Sequence, residues 1–152
     1  MKKICLLLPV LLLLFASCNN HEKTADNTLE KKADSLYDEV MEGHNIGMAK
    51  DRAIEKARQL TQRAIDSIGK LPAAAQAAAA GYKSRLDSLL KDLNYAGFAM
   101  EKWMNEMNWK PDTIEVEKRI NYLMDEKLKV NKVKDAILGS LAKADSLLKA
   151  KL

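Results

Sequence analysis

Histidine and methionine side chains that could bind a soft metal ion are concentrated in two short segments of this chain. Residues 40–48 read VMEGHNIGM, and residues 99–104 read AMEKWM. On a helix, Met41 and Met48 lie three residues before and four residues after His44, so the three side chains share one face. Thioether and imidazole groups together suit Cu(I). The candidate copper ligands are therefore His44, Met48, Met100 and Met104, with Met41 as a substitute and Trp103 as an aromatic cap.

Two other interpretations of the same residues stay open. Methionine fills irregular gaps in a core, and a buried histidine is usually hydrogen-bonded, for which Tyr122 and Glu101 are the partners that the sequence suggests. The glycines Gly43 and Gly47 each cost ~1 kcal/mol inside a helix, but they let neighbouring helices approach closely. A haem held by histidine and methionine in a helical bundle is the other interpretation.

Two segments divide the rest of the chain into three helical stretches. In SIGKLP, residues 67–72, the glycine suits the end of a helix and the proline suits the first turn of the next. In WKPDTIE, residues 109–115, Pro111 stops a helix, and Asp112 is expected to cap the next one with Glu115 at the capping-box position. We therefore predict helices over about residues 26–68, 72–109 and 113–150.

Apolar residues recur at steps of three and four in these stretches, as they do along a heptad seam. The second helix has the most regular seam: Tyr82, Leu86, Leu89, Leu93, Ala96, Met100, Trp103 and Met107. In the third helix the apolar stripe includes Met124 and Leu128 and resumes at Val130 in another phase, which predicts a local change of packing face. Because short connections favour antiparallel neighbours, we predict an all-α fold, an antiparallel up-down-up three-helix bundle. A coiled-coil hairpin that dimerises is the main alternative.

Folding at the two turns brings the methionine-rich segments together. With the first turn centred near residue 70, His44 is level with about residue 97 of the second helix. With the second turn centred near residue 111, residue 100 is level with about residue 122 of the third helix. One end of the bundle then collects every methionine after Cys18, both tryptophans and a tyrosine: Met41, Met48, Met100, Met104, Met107, Met124, Trp103, Trp109 and Tyr122.

The first residues have the features of a bacterial lipoprotein signal peptide. Two lysines precede the apolar run Ile4–Phe15, whose 12 residues are too few to span a bilayer, since a transmembrane helix needs about 20. The run ends in LFASC, which resembles a lipobox with Phe15 in place of the usual leucine. We predict cleavage before Cys18 and attachment of lipid to its sulfur. An ordinary signal peptide with an incidental cysteine is the alternative.

Three regions follow from this prediction. Residues 1–17 form the signal peptide, residues 18–25 form a flexible tether after the lipidated Cys18, and residues 26–152 form the helical-bundle domain. Cys5 is removed with the signal peptide, so the mature chain keeps no cysteine for a disulfide or a metal. Several acyl chains on one cysteine attach a protein durably to a membrane.

Two segments also resemble a family of small helical lipoproteins of the Bacteroidota that are often labelled "viral A-type inclusion protein". The family pattern V-M-x-x-H-D-x-x-M-P-K is similar to residues 40–50, with Asn45 in place of the aspartate and Ala49 in place of the proline. The pattern A-M-x-x-W-M is similar to residues 99–104. The resemblance implies no biochemical function. It implies one recurring constellation, made of His44, Met48, Met100, Trp103 and Met104.

The resemblance also bears on location, because surface-exposed lipoproteins of that phylum tend to carry an acidic run after the lipidated cysteine. In NNHEK, residues 19–23, only Glu22 is acidic. An outer-membrane lipoprotein that faces the periplasm is therefore implied.

Charge and motifs exclude several classes of function. Removal of Lys2 and Lys3 takes the net charge from +4 to +2, with acids and bases interspersed, so no basic face for nucleic acid is expected. The sequence has no phosphate-binding glycine loop and no carboxylate cluster with metal-ligand spacing, so an enzyme is not expected. We predict a membrane-anchored periplasmic lipoprotein with a structural or protein-interaction role. Its expected partners are the membrane and either a second copy or another envelope protein. Cu(I) binding and haem binding are the alternatives.

Overall fold

The computed structural model describes residues 21–149, with side chains from residue 27 onward, and this part of the chain is helical without strands. It contains α1 (His21–Met48), α2 (Asp51–Gly69), α3 (Ala73–Glu106) and α4 (Val116–Lys149), with a 3-10 turn between α3 and α4. The predicted all-helical bundle is confirmed at this level. The predicted signal peptide, Cys18 and the last three residues lie outside the described residues. None of the four helices is long and apolar enough to cross a membrane.

The first predicted helix is interrupted, which the sequence analysis did not predict. α1 ends at Met48, and Ala49 and Lys50 form a turn before α2 begins at Asp51. The N–H of Lys50 donates to the carbonyl of Gly47, and the carbonyl of Lys50 in turn accepts the N–H of Ile54. α1 also begins earlier than predicted, so residues 21–25, which were assigned to the tether, are helical.

The connection between α3 and α4 corrects the predicted helix start. Asp112 lies inside the 3-10 turn Pro111–Thr113 and does not cap α4. Instead, Glu115 directly precedes α4, and its carbonyl accepts the N–H of Arg119 at 2.8 Å. α3 ends at Glu106, five residues before Pro111, and residues 107–110 connect it to the 3-10 turn.

Glycines let α1 lie close to its neighbours. α1 packs mainly on α4, α2 packs mainly on α3, and α3 and α4 pack along each other. A Cβ placed on Gly43 would come within 3.0 Å of Cγ1 of Val130. A Cβ placed on Gly47 would lie 3.3 Å from Cδ1 of Ile137 and would collide with the methyl of Met100. The glycines at 43 and 47 therefore have a packing role, whatever else this segment does.

The α3 seam is confirmed, whereas the predicted seam of α4 is wrong in its middle. Tyr82 is half-buried, and the other seam residues are buried on α3 or, for Met107, directly after it: Leu86, Leu89, Leu93, Ala96, Met100, Trp103 and Met107. On α4, Met124 and Leu128 are exposed, while Glu126 is buried. The core positions run through Leu123, Glu126 and Val130 at steps of three and four, so there is no change of phase. The stripe appeared to slip because a carboxylate occupies a core position.

Candidate soft-metal site

His44, in the last turn of α1, has a partner at each ring nitrogen. Nδ1 lies 3.1 Å from Oδ1 of Asn45, and Nε2 lies 3.4 Å from Sδ of Met104 on α3. A neutral imidazole has one N–H, and an amide oxygen is a much better acceptor than a thioether sulfur. This difference favours the tautomer with the proton on Nδ1, donated to Asn45. Nε2 then faces the Met104 sulfur with a free lone pair.

Two tryptophan rings surround the imidazole. The Trp103 ring lies 5.7 Å from the His44 ring at an angle of 38°, and the Trp109 ring lies 5.8 Å away, edge-on. The two indoles also meet edge-to-face at 5.9 Å. Trp103 is buried, whereas 43% of Trp109 is exposed. The aromatic cluster of His44, Trp103 and Trp109 therefore has one side in the core and one side in solvent.

Both indole N–H groups have acceptors. Trp103 donates to Oε2 of Glu126 on α4 at 2.8 Å, and Trp109 donates to the backbone carbonyl of Met104 at 3.1 Å. The second bond ties the chain after α3 back to the residue whose sulfur meets His44. The two bonds therefore fix each indole of the aromatic cluster to a different neighbouring helix.

A groove beside this cluster, with a volume of about 510 Å³, brings together three of the predicted ligands. It lies where α1 passes into α2 and faces α3, and we call it the junction groove. Met48, Met100 and Met104 all line it, with Ile137 from α4. Met48 is 38% exposed, whereas Met100 is buried. Its other lining residues are polar and apolar side chains and two glycines: Gly47, Asp51, Ile54, Arg58, Asn94, Gly97, Phe98 and Glu101.

Several details of the predicted site need correction. His44 lies beside residues 103 and 104 and not level with residue 97, because the chain turns at 49–50 and the helices do not meet in simple register. Met41 is half-buried and does not line the junction groove. Met124 is 49% exposed on α4, so it does not join the methionines of the groove.

The two predicted hydrogen-bond partners of His44 are also wrong. The Tyr122 hydroxyl donates to Sδ of Met107 at 3.3 Å and accepts the N–H of Asn108 at 2.7 Å. Glu101 is exposed on the rim of the junction groove. Burial raises the pKa of Tyr122, an effect that the Asn108 N–H partly offsets.

Two polar contacts of the aromatic cluster were not predicted from the sequence. The first is the contact of Asn45 with Nδ1 of His44. The similar family pattern has an aspartate at position 45, but the sequence did not predict this bond. Glu126 reads as a surface residue, yet its side chain is 5% exposed, with one oxygen bonded to Trp103 and the other 2.8 Å from Nζ of Lys129. The hydrogen bond to Glu126 is the main reason that the pKa of Lys129 is raised.

The donor set of the site is soft. Among residues 27–149, no three histidine, cysteine, aspartate or glutamate side chains come together in a group that could hold a metal ion. Thioethers line the junction groove, and the imidazole of His44, which does not line it, reaches one of them at Met104. Thioether and imidazole donors suit Cu(I) better than a hard ion.

No protein-family model, curated protein or solved structure matches this chain. Membership of the Bacteroidota lipoprotein family therefore stays a prediction.

Proposed function

We propose that this protein binds Cu(I) through Nε2 of His44 and Sδ of Met104. The observation that carries the proposal is the 3.4 Å approach of these two atoms. In the tautomer whose Nδ1–H donates to Asn45, both Nε2 and Sδ present lone pairs and neither supplies a hydrogen between them. An ion that accepts both lone pairs would replace a poor contact with two bonds. Imidazole nitrogen and thioether sulfur are ligands that Cu(I) accepts.

The distance suits one ion bound in a bent arrangement. With the metal–nitrogen and metal–sulfur distances of zinc sites, about 2.0 and 2.3 Å, as a guide, atoms 3.4 Å apart subtend an angle of about 104° at the ion. That angle is close to tetrahedral and leaves room for a third or fourth ligand. At 3.4 Å, Nε2 and Sδ lie too close together for a haem ring to pass between them. The geometry therefore favours Cu(I) over haem.

Further thioethers are available beside the pair. Met48 and Met100 line the junction groove together with Met104, and either would complete a three-ligand set. Met48 is 38% exposed, whereas Met100 is buried against Gly47, so Met48 is the better candidate for a third ligand. Trp103 covers the imidazole from the core side, which excludes water from one face of the site.

A competition titration tests the proposal. The full chain, with Cys5 and Cys18 changed to serine so that no thiol competes, is purified in detergent and titrated with Cu(I) against a coloured chelator. We expect one ion per chain, and His44→Ala and Met104→Leu should each weaken binding about 100-fold. Met124→Leu is the matched control, because Met124 lies on α4 away from the groove lining. Failure of the starting chain to take Cu(I) from the chelator overturns the proposal.

The structural or protein-interaction role predicted from the sequence is the competing function. It is supported by the close packing of Met100 on Gly47, which accounts for one methionine and one glycine without a ligand. It predicts that His44→Ala changes the melting temperature or the capture of a partner while the copper content stays at zero. The same titration therefore separates the two functions.

We further propose the cell location that the N-terminal sequence implies. Residues 1–17 would be removed, Cys18 would carry lipid, and the bundle would face the periplasm from the outer membrane. Mass spectrometry of the chain from a membrane fraction tests this. A Cys18→Ala chain should lose the acyl mass and leave the outer-membrane fraction, whereas Cys5→Ala should change neither.

The order of the contacts supports an antiparallel arrangement of α3 and α4. Higher-numbered residues of α3 meet lower-numbered residues of α4, as in the ion pair Asp92–Lys143 and the hydrogen bond Trp103–Glu126. Between α1 and α4 the numbers rise together, from the pair Glu30–Arg119 to the pair Glu39–Lys127. This order supports the predicted up-down-up path. Dimerisation as a coiled coil stays a prediction, which sedimentation of the detergent-solubilised chain would test.

A further inference from the structure

Glu126 is a carboxylate in a position that the seam of α4 reserves for an apolar residue. Its neighbours along the seam, Leu123 and Val130, are fully buried, and Glu126 itself is 4% exposed. Burial of a carboxylate is unfavourable unless its oxygens are bonded. Here one oxygen accepts the Trp103 N–H at 2.8 Å, and the other lies 2.8 Å from Nζ of the half-exposed Lys129. A leucine would fill this position without that cost.

The hydrogen bond from Trp103 connects this carboxylate to the candidate metal ligand. The Trp103 ring lies 5.7 Å from the His44 ring, and the Trp109 ring lies against both. The rotation of the Trp103 indole is fixed by its bond to Glu126. The tilted contact between the Trp103 and His44 rings then restricts the plane in which the imidazole can lie. The plane of the imidazole in turn sets the direction of Nε2.

Charge gives a second connection. A Cu(I) ion held by imidazole and thioethers keeps its positive charge, because those ligands are neutral. An indole whose N–H is bonded to a carboxylate presents a more negative ring face, and a negative ring face attracts a nearby cation. Because the Trp103 ring is in contact with the His44 ring, the charge of Glu126 acts on the site through the indole.

We propose that Glu126 is a positioning residue of the Cu(I) site, acting on His44 through the Trp103 ring. This inference rests on the proposed function, since it assigns the residue that orients the metal ligand. It accounts for a buried carboxylate that neither the bundle seam nor the ligand set requires.

The experiment compares two substitutions in the full chain that lacks both cysteines. Glu126→Leu removes the acceptor, and we expect Cu(I) binding to weaken about tenfold; Glu126→Gln keeps an acceptor oxygen without the charge, and we expect about threefold. Glu117→Gln, an exposed glutamate of α4, is the matched control and should leave binding unchanged. Unchanged binding in Glu126→Leu overturns the proposal.

A Trp103→Phe background separates positioning from general damage to the fold. If Glu126 acts through the indole, Glu126→Leu should cause no further loss of Cu(I) binding in that background. A further tenfold loss there would mean that Glu126 acts by another route, which overturns the proposal.

A readout in the metal-free chain keeps this inference distinct from the proposed function. Glu126→Leu should change the NMR shifts of the His44 ring protons, and the change should vanish when Trp103 is phenylalanine in both chains compared. Changed shifts with no Cu(I) uptake by the starting chain would overturn the copper function but would still show that Glu126 orients His44 through Trp103. Unchanged shifts, with Cu(I) uptake intact, would overturn the positioning alone.

Discussion

The terminal methyl of Met100 occupies the space on α1 where any residue other than glycine at position 47 would carry its Cβ. Ile137 of α4 closes the same space from the other side, 3.3 Å from that point. Three helices therefore meet at one glycine, one turn beyond His44. This contact explains why α1 has a glycine near its end, and it sets the position of a methionine that lines the junction groove.

Gly47→Ala should lose most of the stabilisation that alanine normally gives a helix, because its added methyl requires the flexible end of buried Met100 to move. Gly81→Ala is the matched control, since nothing lies within 4 Å of its Cβ position in α3. Alanine is the better helix former, so that change should stabilise by about 0.5–1 kcal/mol. Denaturant unfolding followed by circular dichroism measures both. Equal effects of the two alanines would contradict the close contact.

Asn45 should tune the metal site through the far side of the imidazole. Asn45→Ala removes the acceptor of the Nδ1 proton, and Cu(I) affinity should fall about tenfold, since partners of this kind hold the ring and its tautomer. Asn45→Asp restores an acceptor that makes the imidazole more basic, so its affinity should equal or exceed that of the starting chain. Asn105→Ala, an exposed position on α3, is the control in the chelator competition. Stronger binding in Asn45→Ala would contradict the assigned tautomer.

The corrected seam of α4 predicts opposite responses at two apolar positions. Leu128 is 62% exposed, whereas Val130 is fully buried between α4 and α1. Leu128→Ala should change the free energy of unfolding by less than about 0.5 kcal/mol, and Val130→Ala should cost about 2 kcal/mol. Thermal unfolding of the two chains measures the difference. A larger loss of stability from Leu128→Ala than from Val130→Ala would mean that Leu128 belongs to the core, as the sequence first indicated.

The sequence predicted well those features that depend on spacing along one helix. The α3 seam is correct from Leu86 to Met107, because steps of three and four select one face whatever packs against it. The break after Met48 was missed, because neither of its turn residues is a proline or a glycine. It is formed by backbone bonds whose stability depends on the neighbouring helices.

The candidate site likewise combines features that the sequence predicts with features that it does not. Chain reversal predicts that His44 and Met104 lie near the same end of the bundle, but it does not predict their register, because His44 was expected to be level with residue 97. The burial of Glu126 was not predicted, because its partner Trp103 lies 23 residues away on another helix. A hydropathy pattern cannot distinguish a carboxylate with a buried donor from one in solvent, so it shifted the seam to Leu128.

Tyr122 predicts how stability changes at alkaline pH. Burial raises its pKa above the ordinary value of 10.0, so the folded chain keeps the phenolic proton where the unfolded chain has lost it. The folded state then binds more protons, and stability falls as the pH rises beyond about 10. At neutral pH, Tyr122→Phe should lower stability by about 1 kcal/mol, because it removes the bonds to Met107 and Asn108.

The raised pKa of Tyr122 and the loss of its two hydrogen bonds in Tyr122→Phe together predict a stability difference that depends on pH. The stability difference between the starting chain and Tyr122→Phe should shrink as the pH rises from about 9 to about 11, because only the starting chain pays for keeping that phenol protonated. Tyr95→Phe, at a site 62% exposed on α3, should show no such trend. Denaturant unfolding at a series of pH values measures both differences. A gap for Tyr122→Phe that widens with pH would mean that the folded state favours the phenolate, against the direction that burial imposes.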